Sequence, residues 1–381
     1  MPCYDIIILG LGGMGSAAAF HAAARGRRVL GLEQYHSPHD RGASHGATRV
    51  IRQSYFEHPS YVPLLLRAYE LWRELETRTG QALLHLTGGL MLGAENSAVV
   101  TGTLRSARTY GLPHEYFDAA AIRRRFPPFR IADDVVGVFE NAGGYLQCEP
   151  SVAAHLSVAA SAGAELHFEE PVASWSARES GGVTVTTSRA TYEADQLVIT
   201  PGPWAPEILS DLGVSFMITR QVLCWFRCSQ GVAAFTPDRF PIWIREIDAH
   251  TSIYGFPAVD GDAGGVKVAF HDRPGQEFCT PASIDRTIRT EDESNLREVL
   301  RDFLPALDGP LEQAKTCLYT MTPDAHFVIC KHPRHPQVQI AAGFSGHGFK
   351  FCSVVGEIMA DLAINGKSRH DISFFAPSRF S

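Results

Sequence analysis

The sequence predicts an α/β protein with two interleaved domains, one built on a parallel sheet and the other, an α+β domain, on an antiparallel sheet. Three observations support this prediction. The chain begins with a strand–helix–strand pattern, short strands rich in aromatic residues fill its middle, and a strand followed by a helix closes it. Because no single linker separates these parts, we expect the first and last patterns to share one domain.

Length and composition narrow the class of protein. A chain of 381 residues favours two domains. Its net charge of −7 disfavours a nucleic-acid partner. Its eight cysteines form no C-x-x-C pair, which favours reduced thiols in the cytoplasm. Residues 6–24 carry no charge, but four glycines divide them into a strand and a helix, so we expect a soluble protein without a membrane span.

The first strand–helix–strand unit contains the turn Gly10-Leu-Gly12-Gly-Met-Gly15, which fits the G-x-G-x-x-G pattern. The first glycine allows the turn, the second lets a pyrophosphate approach the backbone, and the third lets helix and strand pack closely. The helix N-terminus adds N–H groups for the phosphates. Glu33 ends the second strand, where an acid can accept a hydrogen bond from a ribose hydroxyl. This pattern predicts a dinucleotide site but does not distinguish NAD from FAD.

Periodicity and breaker residues predict the other elements. We expect helices at 16–25, 48–55, 61–79, 99–111, 119–125, 150–163, 291–304 and 350–364. We expect strands at 4–9, 28–33, 84–93 (a pair), 165–168, 183–187, 195–200 and 338–342, and an antiparallel sheet within 215–270. The turn Pro201-Gly-Pro-Trp204 can bring backbone close to a ligand.

A second group of candidate residues lies at His45, Thr48, Arg49 and Arg52. In a helix these positions share one face, and the paired arginines would form an anion site suited to a carboxylate. A solvated basic face is an equally compatible interpretation.

Two further motifs have competing interpretations. Ser345-Gly-His347-Gly-Phe-Lys350 joins a strand to the last helix and could expose N–H groups and a lysine to an anion, or could be a plain connection. Cys317 could react as a thiolate aided by Lys315, although an inert buried cysteine fits the composition better. His332 and His335 lack further ligands at zinc-binding spacing, so we predict no metal site.

These motifs, in this order, resemble the FAD-dependent amine oxidases typified by monomeric sarcosine oxidase and N-methyl-L-tryptophan oxidase. The most specific matches are Ser44-His-Gly-Ala-Thr-Arg-Val-Ile-Arg52, Tyr61-Val-Pro-Leu, Tyr254-Gly-Phe-Pro257, Cys317-Leu-Tyr-Thr-Met-Thr-Pro-Asp324 and Gly343-Phe-Ser-Gly-His-Gly-Phe-Lys-Phe351. The resemblance implies a Rossmann-like FAD-binding domain (1–85, 140–215 and 310–381) interleaved with an antiparallel-sheet substrate domain (86–139 and 216–309).

The resemblance also implies roles for individual residues. Arg52 and Lys350 match the pair that binds the substrate carboxylate. The implied catalytic residues are His271, Tyr254 and Tyr319 beside the substrate amine, Lys267 where oxygen is reduced, and His45 and Arg49 on the other flavin face. Cys317 matches the cysteine that forms a thioether to the flavin 8α-methyl. The other implied FAD contacts are Gly10, Gly12, Met14, Gly15, Glu33, Gln34, Ser44, Thr48, Val172, Gly202, Gly346, His347, Gly348 and Lys350.

The activity implied by the resemblance is oxidation of a secondary α-amino acid, such as sarcosine, by O2. The products are an imine, which hydrolyses, and H2O2. We expect a cytoplasmic monomer with the amino acid and O2 as its partners, without nucleic acid or membrane. A bulkier or cyclic substrate (N-methyl-L-tryptophan, pipecolate), an NAD(P)-dependent dehydrogenase and a non-enzymatic FAD sensor are the alternatives. The chain departs from the family pattern at Ala47, where an aspartate is frequent, and at 54–60, where a glycine-rich lid is usual.

Overall fold

A computed structural model describes residues 3–179 and 181–380 of the chain. Its helices in chain order are α1 (Gly13–Ala23), α2 (Val62–Thr79), α3 (Ala98–Tyr110), α4 (Ala119–Arg125), α5 (Cys148–Ser161), α6 (Ala205–Ile208), α7 (Gly261–Gly264), α8 (Thr290–Phe303) and α9 (Cys352–Asn365). Short 3₁₀ turns occupy Pro59–Tyr61, Gly202–Trp204, Pro305–Leu307, Phe349–Phe351, Ser373–Phe375 and Pro377–Phe380.

The strands form three sheets. They are β1 (Cys3–Leu9), β2 (Val29–Leu32), β3 (Thr48–Ile51), β4 (Leu84–Leu86), β5 (Gly89–Ala94), β6 (Glu115–Phe117), β7 (Val135–Glu140), β8 (Gly144–Gln147), β9 (Glu165–His167), β10 (Val172–Ala177), β11 (Val183–Thr187), β12 (Thr191–Ile199), β13 (Met217–Phe226), β14 (Ile242–Asp248), β15 (Thr251–Gly255), β16 (Val266–Asp272), β17 (Phe278–Cys279), β18 (Leu311–Met321), β19 (Val328–His332) and β20 (His335–Ala342).

The first sheet has the order β10-β11-β12-β1-β2-β9, with β20 beside β12 and β19 beside β20. Its central strands β12, β1, β2 and β9, and β20 beside them, run parallel. Side chains alternate between the two faces of β1, as expected for a strand. Ile6 and Ile8 pack in the core that includes α1, α2, α5 and α9, whereas Ile7 and Leu9 pack in the core on the opposite face. The parallel sheet predicted from the sequence is confirmed.

The second sheet has the order β17-β13-β16-β15-β14-β5-β7-β6, with β18 also paired to β13. Its pairs are antiparallel, as predicted, except that β5 and β14 run parallel. A small third sheet, β3-β8-β4, completes the described strands. Between residues 3 and 380, with residue 180 left aside, no helix combines the length and apolar character that crossing a bilayer requires.

The strands predicted as a pair at 84–93 lie in different sheets, β4 beside β8 and β5 between β14 and β7, and the helix predicted at 48–55 is wrong. Residues 48–55 do not form a helix; β3 pairs antiparallel with β8 instead. The preceding residues turn the chain first, because Gly46 (φ +93°) and Ala47 (φ +66°) both adopt the left-handed conformation, which breaks a helix. Val50 and Ile51 then favour the extended strand because they are β-branched. The shared helical face expected for positions 45, 48, 49 and 52 therefore does not exist.

Candidate active site

A cavity of about 400 Å³ opens at the carboxyl ends of the parallel strands and extends to the second sheet. Ligands bind at this end of a parallel sheet in other α/β proteins. Most of the sequence-predicted residues line it: Gly10, Gly12, Met14, Glu33, Gln34, Ser44, Arg49, Arg52, Val172, Gly202, Tyr254, His271, Tyr319, Gly346, His347, Gly348 and Lys350. Gly15, His45, Thr48, Lys267 and Cys317 were also predicted but are not among the lining residues.

The glycine turn after β1 has the geometry of a dinucleotide cradle. Gly10 has φ +86°, and a Cβ there would lie 2.5 Å from the Thr200 carbonyl oxygen. A Cβ on Gly15 would lie 1.8 Å from the Gly10 carbonyl oxygen, so neither position accepts a side chain. A Cβ on Gly12 would meet only the Ser44 hydroxyl, at 3.6 Å, which leaves the backbone open to a ligand. These constraints fit the phosphate groups of a dinucleotide.

Glu33 is fixed at the end of β2 by two backbone donors. The Leu11 N–H donates to Oε2 at 2.8 Å, and the Tyr35 N–H donates to Oε1 at 3.1 Å. The carboxylate therefore lines the cavity in a fixed orientation, as recognition of a ribose hydroxyl requires.

Arg52 and Lys350 form a buried cationic pair at the far end of the cavity. The Arg52 side chain is 1% exposed, and its Nη2 donates to both Glu57 carboxylate oxygens, at 2.6 and 2.8 Å. Its guanidinium lies 4.1 Å from the ring centres of both Tyr55 and Phe56. Lys350 Nζ donates to the His347 carbonyl oxygen at 2.6 Å. Arg52 thus pairs with the Glu57 carboxylate, and Lys350 lies near enough to feel the charges of both.

Burial and mutual charge shift the ionisation of this group. Burial, reinforced by the charge of Arg52, lowers the pKa of Lys350 to about 7. Burial raises the pKa of Glu57, but Arg52, His347 and Lys350 outweigh it and lower that pKa to about 2. Glu57 therefore remains ionised and paired with Arg52, so this end of the cavity can bind a ligand carboxylate in exchange for Glu57.

Aromatic side chains from the second sheet face the cationic pair. His271 lies between Tyr254 and Tyr319, with ring centres 6.3 and 5.8 Å away. Burial lowers the pKa of His271 and raises the pKa of both tyrosines. At neutral pH the three groups are therefore uncharged, and they form an apolar wall with polar tips.

Lys267 lies behind β3 rather than on the cavity wall. Its Nζ donates to the carbonyl oxygens of Gly46 and Thr48 at 2.7 and 2.8 Å, and to the Thr48 hydroxyl at 3.3 Å. Burial and the charge of Arg49 lower the pKa of Lys267 well below its usual value. The lysine thus holds the carbonyl side of the segment that precedes β3.

Cys317 is buried beside Arg49 and His45. Arg49 Nη2 lies 3.5 Å from the Cys317 sulfur. Burial raises the pKa of the thiol, but His45 and Arg49 outweigh it and lower the pKa to about 6. Lys315, which the sequence suggested for this role, is not among the groups that lower it. Cys317 is therefore a thiolate at neutral pH.

His45 supplies a test of whether a flavin fits here. Both of its ring nitrogens are buried and make no hydrogen bond of regular geometry within residues 3–179 and 181–380, although the imidazole lies close enough to the Cys317 sulfur to lower the pKa of that thiol. An unpartnered buried imidazole is costly unless a bound group completes its hydrogen bonds. The residues present therefore fit FAD, which carries polar edges on its ring system and a pyrophosphate for the glycine cradle.

Sequence reasoning assigned no role to Glu57, Phe56, Glu140 or Glu149. Glu57 and Phe56 line the cavity within the segment recognised as different from the usual lid. In the sequence, only their closeness to Arg52 (Phe56 four residues and Glu57 five residues after it) could have indicated a place in the site. Glu140 and Glu149 act through backbone contacts, which no sequence pattern indicates. The described residues contain no group of three metal-ligating side chains.

Comparison with known proteins agrees with this geometry. The profile of the family described as "FAD dependent oxidoreductase" matches residues 5–362. The monomeric sarcosine oxidase of Streptomyces avermitilis is 52% identical over all of this chain and 98% of its own. The N-methyl-L-tryptophan oxidase of Salmonella heidelberg is 35% identical over 99% of each chain. The structure of NikD, an unusual amino acid oxidase essential for nikkomycin biosynthesis, superposes with a TM-score of 0.84 at 28% identity, over 99% of this chain and 98% of NikD.

Proposed function

The chain belongs to the FAD dependent oxidoreductase family, and from this premise we propose that it oxidises a secondary α-amino acid, sarcosine or another N-methyl amino acid, with O2 as acceptor. The observation that carries the proposal is the buried pair of Arg52 and Lys350 facing the aromatic group of Tyr254, His271 and Tyr319. The pair suits the carboxylate of an amino acid, and the aromatic group suits its amine.

The reaction balances without a further reactant. Sarcosine, O2 and water give glycine, formaldehyde and H2O2. Bound FAD supplies the two-electron oxidation of the C–N bond and the transfer of those electrons to O2. We propose that the glycine cradle and Glu33 hold its dinucleotide part. The other proposed contacts are Met14, Gln34, Ser44, Thr48, Val172, Gly202, Gly346, His347, Gly348 and Lys350.

Arg52 must exchange partners to bind the substrate. In the structure Arg52 pairs with Glu57, so the substrate carboxylate takes the place of the Glu57 carboxylate on the arginine. Such an exchange keeps the arginine charge paired throughout, which avoids the penalty of an isolated buried cation. Lys350 lies beside the same pair and binds the second side of the carboxylate.

His271 and Lys267 act at different stages in this proposal. A neutral His271 imidazole accepts a proton from the substrate ammonium group, and so gives the neutral amine from which electrons leave. Lys267 lies behind residues 46–48, and its protonated form would stabilise the negative charge that develops as O2 is reduced. Arg49 and His45 would hold the flavin on the face opposite to the one where O2 is reduced.

We further propose that Cys317 binds the flavin covalently at the 8α carbon. Cys317 would hold the flavin through a C–S bond; its formation would remove one hydrogen from the thiol and one from the methyl group, and O2 would accept both, giving H2O2. The lowered pKa of Cys317 supports this step, because the thiolate is the nucleophile.

The domain division remains part of the proposal. Residues 1–85, 140–215 and 310–381 would form the FAD-binding domain, and 86–139 and 216–309 the substrate domain. The strands of the first sheet support this division, although β18 belongs to the second sheet through its pairing with β13. We also propose that the protein acts as a cytoplasmic monomer.

A peroxide assay with a substrate panel tests the proposal. The purified yellow protein is mixed with sarcosine, N-methyl-L-tryptophan, pipecolate and dimethylamine, which is sarcosine without its carboxylate. We expect H2O2 from the N-methyl amino acids and none from dimethylamine. A flavin-loaded protein that gives no peroxide with any amino acid would refute the proposal, and a colourless protein would favour a nicotinamide-dependent enzyme.

A further inference from the structure

Two glutamates hold the two ends of β3, the strand that carries Arg49 and leads to Arg52. β3 pairs antiparallel with β8, and the register joins Thr48 to Gln147 and Ile51 to Gly144. Glu140 ends β7, four residues before β8 begins, and Glu149 lies in the first turn of α5, two residues after β8 ends. Glu140 precedes β8 and Glu149 follows it, and each supplies a carboxylate to one end of the neighbouring strand β3.

Each carboxylate accepts hydrogen bonds from two consecutive backbone N–H groups. Before β3, Gly46 N–H donates to Glu149 Oε1 at 2.7 Å, and Ala47 N–H donates to Oε2 at 3.0 Å. After β3, Gln53 N–H donates to Glu140 Oε1 at 2.7 Å, and Ser54 N–H donates to Oε2 at 2.8 Å. Both oxygens of each carboxylate are in use, which fixes the peptide planes on either side of the strand.

The segment before β3 requires such support. Gly46 and Ala47 adopt positive φ values, and alanine rarely occupies this region without outside contacts that hold it there. Glu149 takes the N–H side of this turn, while Lys267 takes the carbonyl oxygens of Gly46 and Thr48. A carboxylate and an amine therefore hold opposite sides of one turn, next to Arg49 and Cys317.

The segment after β3 positions Arg52. Arg52 immediately precedes Gln53, and its guanidinium also donates to the Ser54 carbonyl oxygen at 3.1 Å. Glu140 is 3% exposed and binds the N–H groups of these same two residues. A movement of this peptide would carry the Arg52 guanidinium with it.

We propose that Glu140 and Glu149 are positioning residues with separate targets: Glu140 sets Arg52 for the substrate carboxylate, and Glu149 sets Arg49 and the adjoining turn for the flavin. The inference rests on the proposed function for the identity of the bound carboxylate. The two ends of a single strand then control two separate properties, substrate affinity and flavin environment.

Isosteric substitutions test the proposal. Glu140→Gln and Glu149→Gln keep the shape but leave one acceptor oxygen, and the amide NH2 then faces a backbone N–H. Glu246→Gln is the matched control, because the Glu246 carboxylate accepts from the consecutive Ala98 and Val99 N–H groups at the start of α3, in contact with neither arginine. The readouts are KM for sarcosine, the Kd of acetate from the change in flavin absorbance, flavin content, and the visible spectrum.

The two variants should fail in different ways. Glu140→Gln should raise both KM and the acetate Kd by about tenfold, the equivalent of one charge-assisted hydrogen bond, with flavin content and spectrum unchanged. Glu149→Gln should lower flavin content or shift the visible absorbance maximum, and leave the acetate Kd within about twofold. Glu246→Gln should change neither property, although its thermal stability should fall as in the other two variants.

The acetate measurement separates this proposal from the proposed function, because it needs no turnover. A wild-type protein that binds acetate but does not oxidise sarcosine refutes the function and still allows the positioning test. If Glu140→Gln shifts only the melting temperature, as Glu246→Gln does, or if both site variants change the same property, the proposal is wrong. Should either glutamine variant not fold, Glu140→Asp and Glu149→Asp retain the charge with a shorter reach, and the same separation of effects is required of them.

Discussion

Replacing His45 should slow covalent attachment of the flavin, because His45 helps to keep Cys317 ionised. In the structure, burial raises the pKa of Cys317, while His45 and Arg49 bring it down to about 6. His45→Asn keeps a polar side chain of similar size but removes the imidazole that lowers the pKa of the thiol. We therefore expect the thiol pKa to rise toward its usual value of 9.0.

The size of the effect follows from the thiolate fraction. A full return from about 6 to 9.0 is three pKa units, or ~4 kcal/mol for ionising the thiol. At pH 7.5 the wild-type thiol is almost entirely ionised, whereas only about 3% would be ionised in the variant. The attachment rate at that pH should fall by up to about thirtyfold. Because the thiolate is lost as pH falls below the thiol pKa, the variant should recover as pH rises to 9, while the wild type should stay nearly constant from pH 7 to 9.

Acid precipitation measures the outcome. FAD is added to flavin-free protein, samples are precipitated with acid over time, and the flavin that stays in the pellet is counted as covalent. Cys317→Ser should retain none, and Cys330→Ser, which removes a buried cysteine whose pKa is raised to about 12, should behave as wild type. A His45→Asn protein that attaches flavin at the wild-type rate at pH 7.5 would refute the role of His45 in ionising the thiol.

Three further predictions concern the substrate end of the cavity. Arg52→Ala should raise KM for sarcosine by about 30-fold (~2 kcal/mol). This is the lower end of the range for a two-point charged contact, because Glu57 already competes for the arginine. An unchanged KM would exclude Arg52 from the site. Because Lys350 loses its proton as pH rises through about 7, KM should increase above that pH in the wild type; a Lys350→Met profile with the same rise would contradict the assignment. Phe56→Ala should enlarge the cavity beside Arg52. The ratio of kcat/KM for N-methyl-L-tryptophan to kcat/KM for sarcosine, measured by peroxide release, should then rise about tenfold. An unchanged ratio would show that Phe56 does not limit substrate size.

Local sequence patterns predicted the fold of the glycine-turn end of the cavity. The glycine turn, the strands on either side and Glu33 lie within 33 residues, so a short window contains the whole pattern, although β1 and Gly10 also pack against β12 and Thr200. The pattern at 343–350 left an anion site and a plain connection open, and only the family resemblance assigned its residues to FAD and substrate. The final helix begins at Cys352, after a 3₁₀ turn, close to the expected start.

Long-range contacts account for what the sequence did not predict. The expected helix at 48–55 is a strand because β8, Glu149 and Lys267 hold it from positions about 100 and 220 residues away. The parallel pair β5–β14 likewise joins segments about 150 residues apart. Lys315 seemed the natural neighbour of Cys317 in the sequence, yet the groups that ionise the thiol come from the segment before β3 and from β3 itself. Nothing in a local window could identify these partners.

An anaerobic titration with sarcosine tests the central claim most directly. The account predicts that sarcosine bleaches the yellow flavin absorbance without oxygen, and that air restores the colour with release of H2O2 equivalent to the flavin reduced. Dimethylamine should leave the spectrum unchanged because it has no carboxylate for Arg52 and Lys350. A flavin that keeps its absorbance in the presence of sarcosine and of other N-methyl amino acids would contradict the account.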